Sequence, residues 1–284
     1  MKKKSGGNLK IRTVGGAIFV LFVGGALFLR EITPLWFDIF VLLIMSLGTI
    51  EMCRALRDYL TKTNYAIIAF FVFLTLPTFY FLGGMTALYK LFFAYFWATA
   101  VASIYNKGYG LQNLASAVLV GIYPIMLFSF LFEINHWVNQ GTAALLLIFL
   151  TGPCCDVGAY LVGSTVKGPK LCPTISPNKT ISGAIGGIIG GIIGSMAVYF
   201  VSIYAIKLDL GVNANWLFFL VYGVIGAVLT EFGDLVESSI KRSVNIKDMG
   251  RVIPGHGGIL DRFDGVLFVV FATYIYFNVF LVYG

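Results

Sequence analysis

Long apolar runs recur from one end of this chain to the other, and each is close to the roughly 20 residues that a helix needs to cross a bilayer. Short polar or glycine-containing stretches separate these runs. The pattern therefore predicts an all-α, polytopic integral membrane protein with about nine transmembrane helices. The predicted spans are residues 13–30, 34–52, 65–83, 86–105, 113–132, 142–163, 181–206, 215–233 and 265–283.

Composition agrees with this pattern. Hydrophobic residues make up 58% of the 284 residues and charged residues 12%, whereas a soluble domain carries roughly 25% charged residues.

The first apolar run follows a basic start, as in a signal peptide, but "GGALFLRE" offers no A-x-A-like cleavage site. We expect it to remain as the first helix. The four cysteines form no C-x-x-C pair, so they indicate packing residues rather than a zinc site.

Glycine and proline add local expectations. The third and fourth spans are separated by "GGM", which predicts a tight turn between two helices. Gly152-Pro153 interrupts the sixth span and can kink it, because proline removes a helical donor. Glycines spaced four apart in "GAIGGIIGGIIGS" predict a close helix contact, either within the protomer or across a dimer.

The positive charges predict the orientation. With a cytoplasmic N-terminus and alternating spans, 17 of the 20 Lys and Arg residues fall on the cytoplasmic side, as the positive-inside rule requires. The net charge of +7 is explained by this bias and by anionic lipid headgroups, so no nucleic-acid partner is indicated. We expect a multi-pass protein of a bacterial-type plasma membrane, with a cytoplasmic N-terminus.

The same topology places two long polar connections on the cytoplasmic side. The first is "DVGAYLVGSTVKGPKLCPTISPNKTISGAIGG", and the second runs from "EFGDLVESSIKRS" to "GGILDRFDG". The chain is therefore predicted to divide at residue 140. Residues 1–140 hold about five spans, and residues 141–284 form a catalytic region with both polar loops.

These loops are rich in carboxylates. Glu231, Asp234 and Glu237 follow at intervals of three, so on a helix they share roughly one face. Asp156, Glu231 and Asp234 lie near membrane depth, where a charge costs about 2.5–3.5 kcal/mol, so they are expected to pair, bind cations or line a wet cavity. A structural salt bridge to the Lys-Arg pair at 241–242 is the alternative. Hard oxygen ligands without a histidine pair favour Mg²⁺ over zinc.

Phosphate-binding features accompany the carboxylates. "SPNKTISG" precedes an apolar helix whose N-terminus favours anions, and Lys179 adds a positive charge. The pair at 241–242, with Lys247 and Arg251, supplies a second cationic set. The glycines of "IPGHGGILD" permit close backbone approach to a ligand, and His256 either donates to phosphate or fixes the loop. Together these features predict a metal-bridged polyphosphate site.

Residues 238–264, "SSIKRSVNIKDMGRVIPGHGGILDRFD", resemble the signature of the phosphatidate cytidylyltransferases, also called CDP-diacylglycerol synthases. "DVGAYLVG" and "ISPNKTISG" are similar to a second characteristic region of that family. One position departs from the family pattern, since members commonly carry Glu where this chain has Ser182.

The resemblance implies a reaction in which CTP and phosphatidate give CDP-diacylglycerol and pyrophosphate at the membrane, with Mg²⁺ alone or with a second cation, and it allows a homodimer. The implied metal ligands are Asp234 and Asp261, with Asp156 and Asp264 nearby. The implied catalytic residues are Asp234 and Asp261, with Lys241, Arg242, Lys247 and Arg262 as phosphate-neutralising charges. The implied substrate contacts are Ser176, Asn178, Lys179, Thr180, His256, Gly257 and Gly258.

Two other classes of protein share some of these features. A CTP-using polyprenol kinase has similar charged groups but transfers the γ-phosphoryl group and releases CDP. A secondary transporter uses intramembrane acids as ion sites, but it predicts repeated halves with broken helices. This chain has no duplicate of "GHGGILDRFD", so the sequence favours the nucleotidyltransferase.

Overall fold

The computed structural model describes residues 20–105, 110–138, 140–208, 210, 214–252 and 257–282. Within these residues the chain forms one short 3-10 helix (Arg57–Tyr59) and nine helices of more than ten residues, eight of which are long and apolar enough to cross a membrane. The helices are α1 (Val20–Arg30), α2 (Pro34–Ala55), α3 (Lys62–Leu82), α4 (Gly84–Tyr105), α5 (Leu111–Asn135), α6 (Gly141–Val166), α7 (Ile181–Ala205), α8 (Trp216–Ser243) and α9 (Leu260–Leu281).

This helix order confirms the predicted all-α, multi-pass membrane architecture. Helices α2 to α9 correspond to the second to ninth predicted spans. The first predicted span is described only from Val20, and residues 13–19 lie outside the described residues. Large apolar side chains such as Phe73 and Phe81 are more than two-thirds exposed. A bilayer, rather than water, is the solvent in which such a surface is stable.

Two helices are longer than their apolar runs. Helix α8 continues to Ser243, well beyond the predicted end at residue 233, and α9 begins at Leu260 rather than at residue 265. The extra turns are polar, so hydropathy alone does not include them. They carry Asp234, Glu237 and Asp261, which places these carboxylates on rigid helices instead of loops.

The first polar connection contains a small antiparallel hairpin that the sequence did not predict. Strand β1 (Lys170–Cys172) pairs with β2 (Ser176–Thr180), with Lys170 opposite Thr180. Strand β2 leads directly into α7. Thr180 is the N-cap of that helix, and its hydroxyl accepts a hydrogen bond from the Gly183 amide at 3.1 Å. The hairpin therefore fixes the direction in which Lys179 leaves the backbone.

The structure bears on two of the glycine and proline expectations. Helix α3 ends at Gly83 (φ 113°), and Gly84 also has a positive φ of 64°, so the predicted tight turn is confirmed at residues that need glycine. Helix α6 remains helical on both sides of Pro153. The proline lies inside the span without ending it.

The chain divides into two compact units. One comprises the described residues up to Asn135 together with Val244–Arg262, and the other comprises His136–Ser243 and the residues from Phe263 onward. The middle of the second polar loop, Val244–Arg262, thus belongs with the N-terminal helices, whereas the two ends of that loop remain in the second unit. The physical reason is a set of hydrogen bonds to Glu51 of α2, described below.

The core of the first unit is aromatic. Phe37 of α2 and Phe128, Phe130 and Phe132 of α5 are fully buried. In the second unit, glycines of α7 take the place of large side chains. A Cβ at Gly190 would collide with the backbone carbonyl of Cys154 on α6.

Another glycine of α7 makes a similarly close approach to α8. A Cβ at Gly191 would lie 2.6 Å from the Ala227 Cβ. The close helix contact predicted for this glycine run is therefore confirmed within the protomer.

Candidate functional site

The central polar contact of the second unit is made by Lys179. Its ammonium lies 2.6 Å from Glu231 Oε2 and 2.7 Å from Asp234 Oδ2. The side chains of Lys179 and Glu231 are 20% and 12% exposed, while Asp234 is more open at 34%. Strand β2 is thereby joined to α8 by one lysine held between two carboxylates.

Local sequence explains how these three groups meet. The three-residue spacing of Glu231 and Asp234 turns both carboxylates to one side of α8. Gly187 of α7 leaves room for this arrangement, because a Cβ there would lie 2.9 Å from Glu231 Oε1. On the other side, the Thr180 cap fixes the end of β2 and with it the preceding lysine.

The lysine remains protonated in this environment. Burial alone lowers the pKa of the Lys179 ammonium, but the charge of Asp234 and the hydrogen bonds to Asp234 and Glu231 outweigh burial and raise that pKa above its ordinary value. One positive charge faces two carboxylates. The group therefore keeps a net negative charge, to which a further cation is attracted.

A cavity of about 510 Å³ opens beside Lys179, within the range of about 300–1,000 Å³ that is usual for small-molecule sites. It brings together residues from α6, β2, α7 and α8. Four predicted site residues line it together with Glu231, and these four are Asp156, Asn178, Lys179 and Thr180. The structure thus gathers most of the first loop's predicted ligands around one space.

A second acidic group lies where α8 meets the Asp264 turn of α9. A Cβ at Gly233 would lie 2.5 Å from the Asp264 carbonyl oxygen, so only glycine allows this approach. The carboxylates of Asp156, Asp234 and Glu237 are close enough to act electrostatically on Asp264. The second unit therefore brings several carboxyl groups together where α8 meets α9.

The sequence allowed a salt bridge from the carboxylates to the Lys-Arg pair at 241–242, and the structure shows such a bridge at Glu237. Lys241 pairs with Glu237 at 2.7 Å, and both side chains are buried. Glu231 and Asp234 pair instead with Lys179, from a segment about 50 residues earlier in the chain. Lys241 therefore balances a buried carboxylate within α8, and its predicted contact with phosphate stays a prediction.

In the first unit, Asp261 organises the glycine-rich loop. Its Oδ2 atom accepts hydrogen bonds from the amides of Met249 and Gly258, both at 2.8 Å, and of Gly250 at 3.4 Å. Gly257 adopts a φ of 85°, a conformation that favours glycine. His256 lies outside the described residues.

Glu51 of α2 is a buried carboxylate that binds this loop, and no role was predicted for it from the sequence. It is 1% exposed, and its two carboxylate oxygens accept hydrogen bonds from the amides of Ile259 and Leu260, each at 2.9 Å. The available signal was an acid inside an apolar span, which is rare unless functional. The same span also holds Asp38. Its partners, more than 200 residues away, could not be inferred from spacing.

The remaining predicted residues lie at the edges of these groups. Ser176 is opposite Cys172 in the hairpin. Lys247 and Arg262 are exposed in the first unit, and Arg242 is exposed in the second. Their roles toward a substrate stay predictions.

Ser182, the one departure from the family pattern that the sequence resembles, lies in the first turn of α7. Its hydroxyl donates to the Lys167 carbonyl and lies 3.2 Å from the Thr180 hydroxyl. Here the serine ties the start of α7 to the chain that follows α6.

The carboxylates of the site bear on the predicted binding of magnesium. Across the described ranges, no three His, Cys, Asp or Glu side chains converge closely enough to enclose a metal ion. Magnesium usually takes one or two carboxylates and completes its shell with water and substrate phosphates. Asp234 with either Asp156 or Asp264 has the oxygen chemistry for such a shared site of two carboxylates, and so this pair fits a magnesium ion that arrives with a phosphate-bearing ligand.

Comparison with known proteins agrees with the family resemblance. The model of a family described as the cytidylyltransferase family matches residues 10–280. A phosphatidate cytidylyltransferase of Bacillus subtilis (strain 168) is 29% identical over 245 residues, which are 84% of this chain and 87% of that protein.

Staphylococcal relatives with the same printed name are more similar over shorter stretches. The protein of Staphylococcus aureus (strain COL) is 42% identical over 158 residues, 55% of each chain. That of Staphylococcus haemolyticus is 41% identical over 132 residues, 46% of this chain and 48% of the relative. With a family model matching nearly its whole length, the chain belongs to the cytidylyltransferase family.

Proposed function

We propose that this protein transfers the cytidylyl group of CTP to phosphatidate, giving CDP-diacylglycerol and pyrophosphate. The family match and the name shared by its relatives support this reaction. The structural observation that carries it is the cavity beside Lys179, where a cation and several carboxylates meet next to a capped helix N-terminus. Such a combination suits a nucleotide with its metal ion.

The reaction requires little covalent chemistry from the protein. An oxygen of the phosphatidate phosphate attacks the α-phosphorus of CTP, and the bond from that phosphorus to the β-phosphate oxygen breaks as pyrophosphate leaves. The attacking oxygen is already anionic, so no strong general base is needed. Positioning and charge neutralisation then supply most of the rate, as in other phosphoryl transfers.

Lys179 supplies the mobile positive charge of this site. In the described structure its ammonium neutralises Glu231 and Asp234. When the nucleotide enters, the ammonium turns on its flexible stem toward the phosphates. Asn178 and Thr180, which line the same cavity, contact the nucleotide beside it. The carboxylates that Lys179 leaves then require another cation.

We assign that cation as magnesium. Asp234, with either Asp156 or Asp264, would hold it in the second unit, and substrate phosphates and water would complete its shell. Magnesium, when bound, polarises the phosphate and neutralises charge that develops on the leaving pyrophosphate. Asp261 lies in the first unit, and its role as a further ligand, with or without a second cation, stays a prediction from the resemblance.

The membrane setting suits a reaction between a water-soluble and a lipid substrate. Apolar helices hold the protein in the bilayer, and the charge bias of the sequence supports polar loops that face the cytoplasm, where CTP is found. The lipid would reach the site with its chains in the bilayer. A homodimer stays an expectation of the resemblance. The glycines of α7 that could have formed a contact between two protomers pack instead against α6 and α8 of the same chain.

The test uses purified protein in detergent with phosphatidate, Mg²⁺ and CTP labelled either at the α- or at the γ-phosphate. We expect the α-label in a lipid-soluble product and the γ-label in pyrophosphate. Transfer of the γ-label to a lipid alcohol that is supplied in place of phosphatidate, with CDP release, would instead identify a kinase. Absence of either turnover would contradict the enzymatic assignment.

A further inference from the structure

A buried carboxylate on α2 supports the start of α9. Glu51 lies in an apolar helix and is 1% exposed, and a buried carboxylate is costly unless hydrogen bonds compensate it. Its Oε1 and Oε2 atoms each accept one hydrogen bond of 2.9 Å, from the amides of Ile259 and Leu260. These amides come from residues 208 and 209 positions later in the chain.

Both donors belong to the beginning of a helix, where the first amides have no partner within the helix. Side chains of Ser, Thr, Asp or Asn at the N-cap usually accept such bonds. The residues before Leu260 are Gly257, Gly258 and Ile259, none of which is one of these types. Glu51 therefore acts as an N-cap supplied by another helix, because it accepts the hydrogen bonds that a local capping side chain would otherwise accept. Its negative charge also interacts favourably with the positive N-terminal end of the helix dipole.

The loop is shaped around this carboxylate. A Cβ at either Gly250 or Gly258 would collide with the Glu51 carboxylate. The same two glycines donate their amides to Asp261 Oδ2. Glu51 and Asp261 thus bind one short stretch of backbone. The Gly258 amide donates to Asp261, and the next two amides donate to Glu51.

We propose that Glu51 is a positioning residue that fixes the turn at 257–260 and, through it, the direction of the Asp261 carboxylate. The consequence for turnover rests on the proposed function, in which Asp261 is a site residue. The hydrogen bonds from the loop to Glu51 do not depend on that function. Amide exchange therefore tests whether Glu51 fixes the loop, and steady-state kinetics tests whether the fixed loop matters for turnover.

The primary variant is Glu51→Gln, which keeps the size of the side chain but turns an NH₂ group toward one of the two amides. Asp38→Asn is the matched control. Asp38 is also a buried carboxylate of α2, but it bonds to the Tyr80 hydroxyl at 2.5 Å and to Asn135 at 2.8 Å. Both variants remove a buried charge from the same helix, and only one of them touches the loop.

Hydrogen–deuterium exchange measures the hold on the loop. In Glu51→Gln we expect the amides of Ile259 and Leu260 to exchange about tenfold faster, equivalent to one lost hydrogen bond of ordinary strength. In Asp38→Asn these amides should exchange as in the wild type. Unchanged exchange in Glu51→Gln would overturn the proposal whatever reaction the enzyme performs.

Steady-state kinetics measures the consequence for catalysis. We expect kcat of Glu51→Gln to fall on the order of 100-fold with little change in the KM for CTP, because a small misplacement of a reacting group has an effect of that size. Glu51→Asp, which keeps the charge, should recover part of kcat, and Asp38→Asn should retain kcat while its melting temperature falls.

Faster loop exchange with unchanged kcat would refute a positioning role and leave the proposed function intact. A wild-type protein without turnover would refute the proposed function itself.

Discussion

The carboxylates of the two units are held by different kinds of donor. In the first unit, Glu51 and Asp261 accept hydrogen bonds from backbone amides. In the second unit, Glu231 and Asp234 are paired with the ammonium of Lys179. Both arrangements compensate negative charge near the membrane, but only one of them can change without refolding the chain.

This difference separates scaffolding from chemistry. Backbone amides are fixed once α9 and its preceding turn have formed, so the carboxylates they bind hold the loop in shape. A lysine ammonium moves on a flexible four-carbon stem and can exchange one anion for another. The lysine-held carboxylates are therefore the ones suited to receive a metal ion and to release Lys179 to a phosphate.

The largest effect is expected at Asp234, because this residue is both the partner of Lys179 and a proposed magnesium ligand. We predict that Asp234→Asn lowers kcat/KM more than about 100-fold, beyond the loss seen on removing groups that only support metal ligands. Turnover of labelled CTP at several magnesium concentrations measures this. Asp58→Asn, at an acid that is 82% exposed, is the control and should match the wild type. Equal activity of both variants would contradict the assignment of metal binding to the lysine-held carboxylates of the second unit.

A smaller but still large effect is expected at Lys179. Lys179→Met leaves Glu231 and Asp234 without their ammonium and the nucleotide without a phosphate partner. We predict that the KM for CTP rises roughly tenfold or more, as expected for losing a hydrogen bond to a charged group. Lys62→Met, at an exposed lysine at the start of α3, should leave the KM unchanged. An unchanged KM in Lys179→Met would assign this lysine to structure alone.

The smallest effect is expected at Gly187, where the comparison can be sharpened without changing any charge. In Gly187→Ala the new Cβ would lie 2.9 Å from Glu231 Oε1, and the flexible end of Glu231 can move away. We predict a loss of turnover of about threefold to tenfold, less than that caused by misplacing a reacting group directly. The melting temperature should fall modestly, because the buried Cys155 Sγ lies 3.0 Å from the new Cβ and must also move. Gly24→Ala, at a glycine with open space around its Cβ position, should change neither quantity.

The sequence was sufficient for the membrane architecture. Apolar runs near 20 residues long identified α2 to α9, because backbone groups in lipid must be satisfied within each helix. It also predicted one metal and substrate site that includes Asp156, Asn178, Lys179 and Thr180. These four residues line one cavity. In each case the information lay in local composition or in short spacing.

The partners of the charged groups could not be predicted in the same way. Lys179 reaches α8 across about 50 residues, and Glu51 reaches the start of α9 across more than 200. Such contacts depend on how helices pack, which spacing along the chain does not contain. The polar ends of α8 and α9 were missed for a related reason, since helix continues there without the hydrophobicity that marks a span.

The measurement that most directly tests the account is CTP binding, by calorimetry, to wild-type protein and to Asp234→Asn with and without Mg²⁺. If the lysine-held carboxylates form the nucleotide–metal site, magnesium should strengthen binding of CTP to the wild type and to Asp58→Asn, and it should have little effect on Asp234→Asn. The same magnesium-dependent affinity in Asp234→Asn would contradict the account and move the nucleotide site away from Lys179.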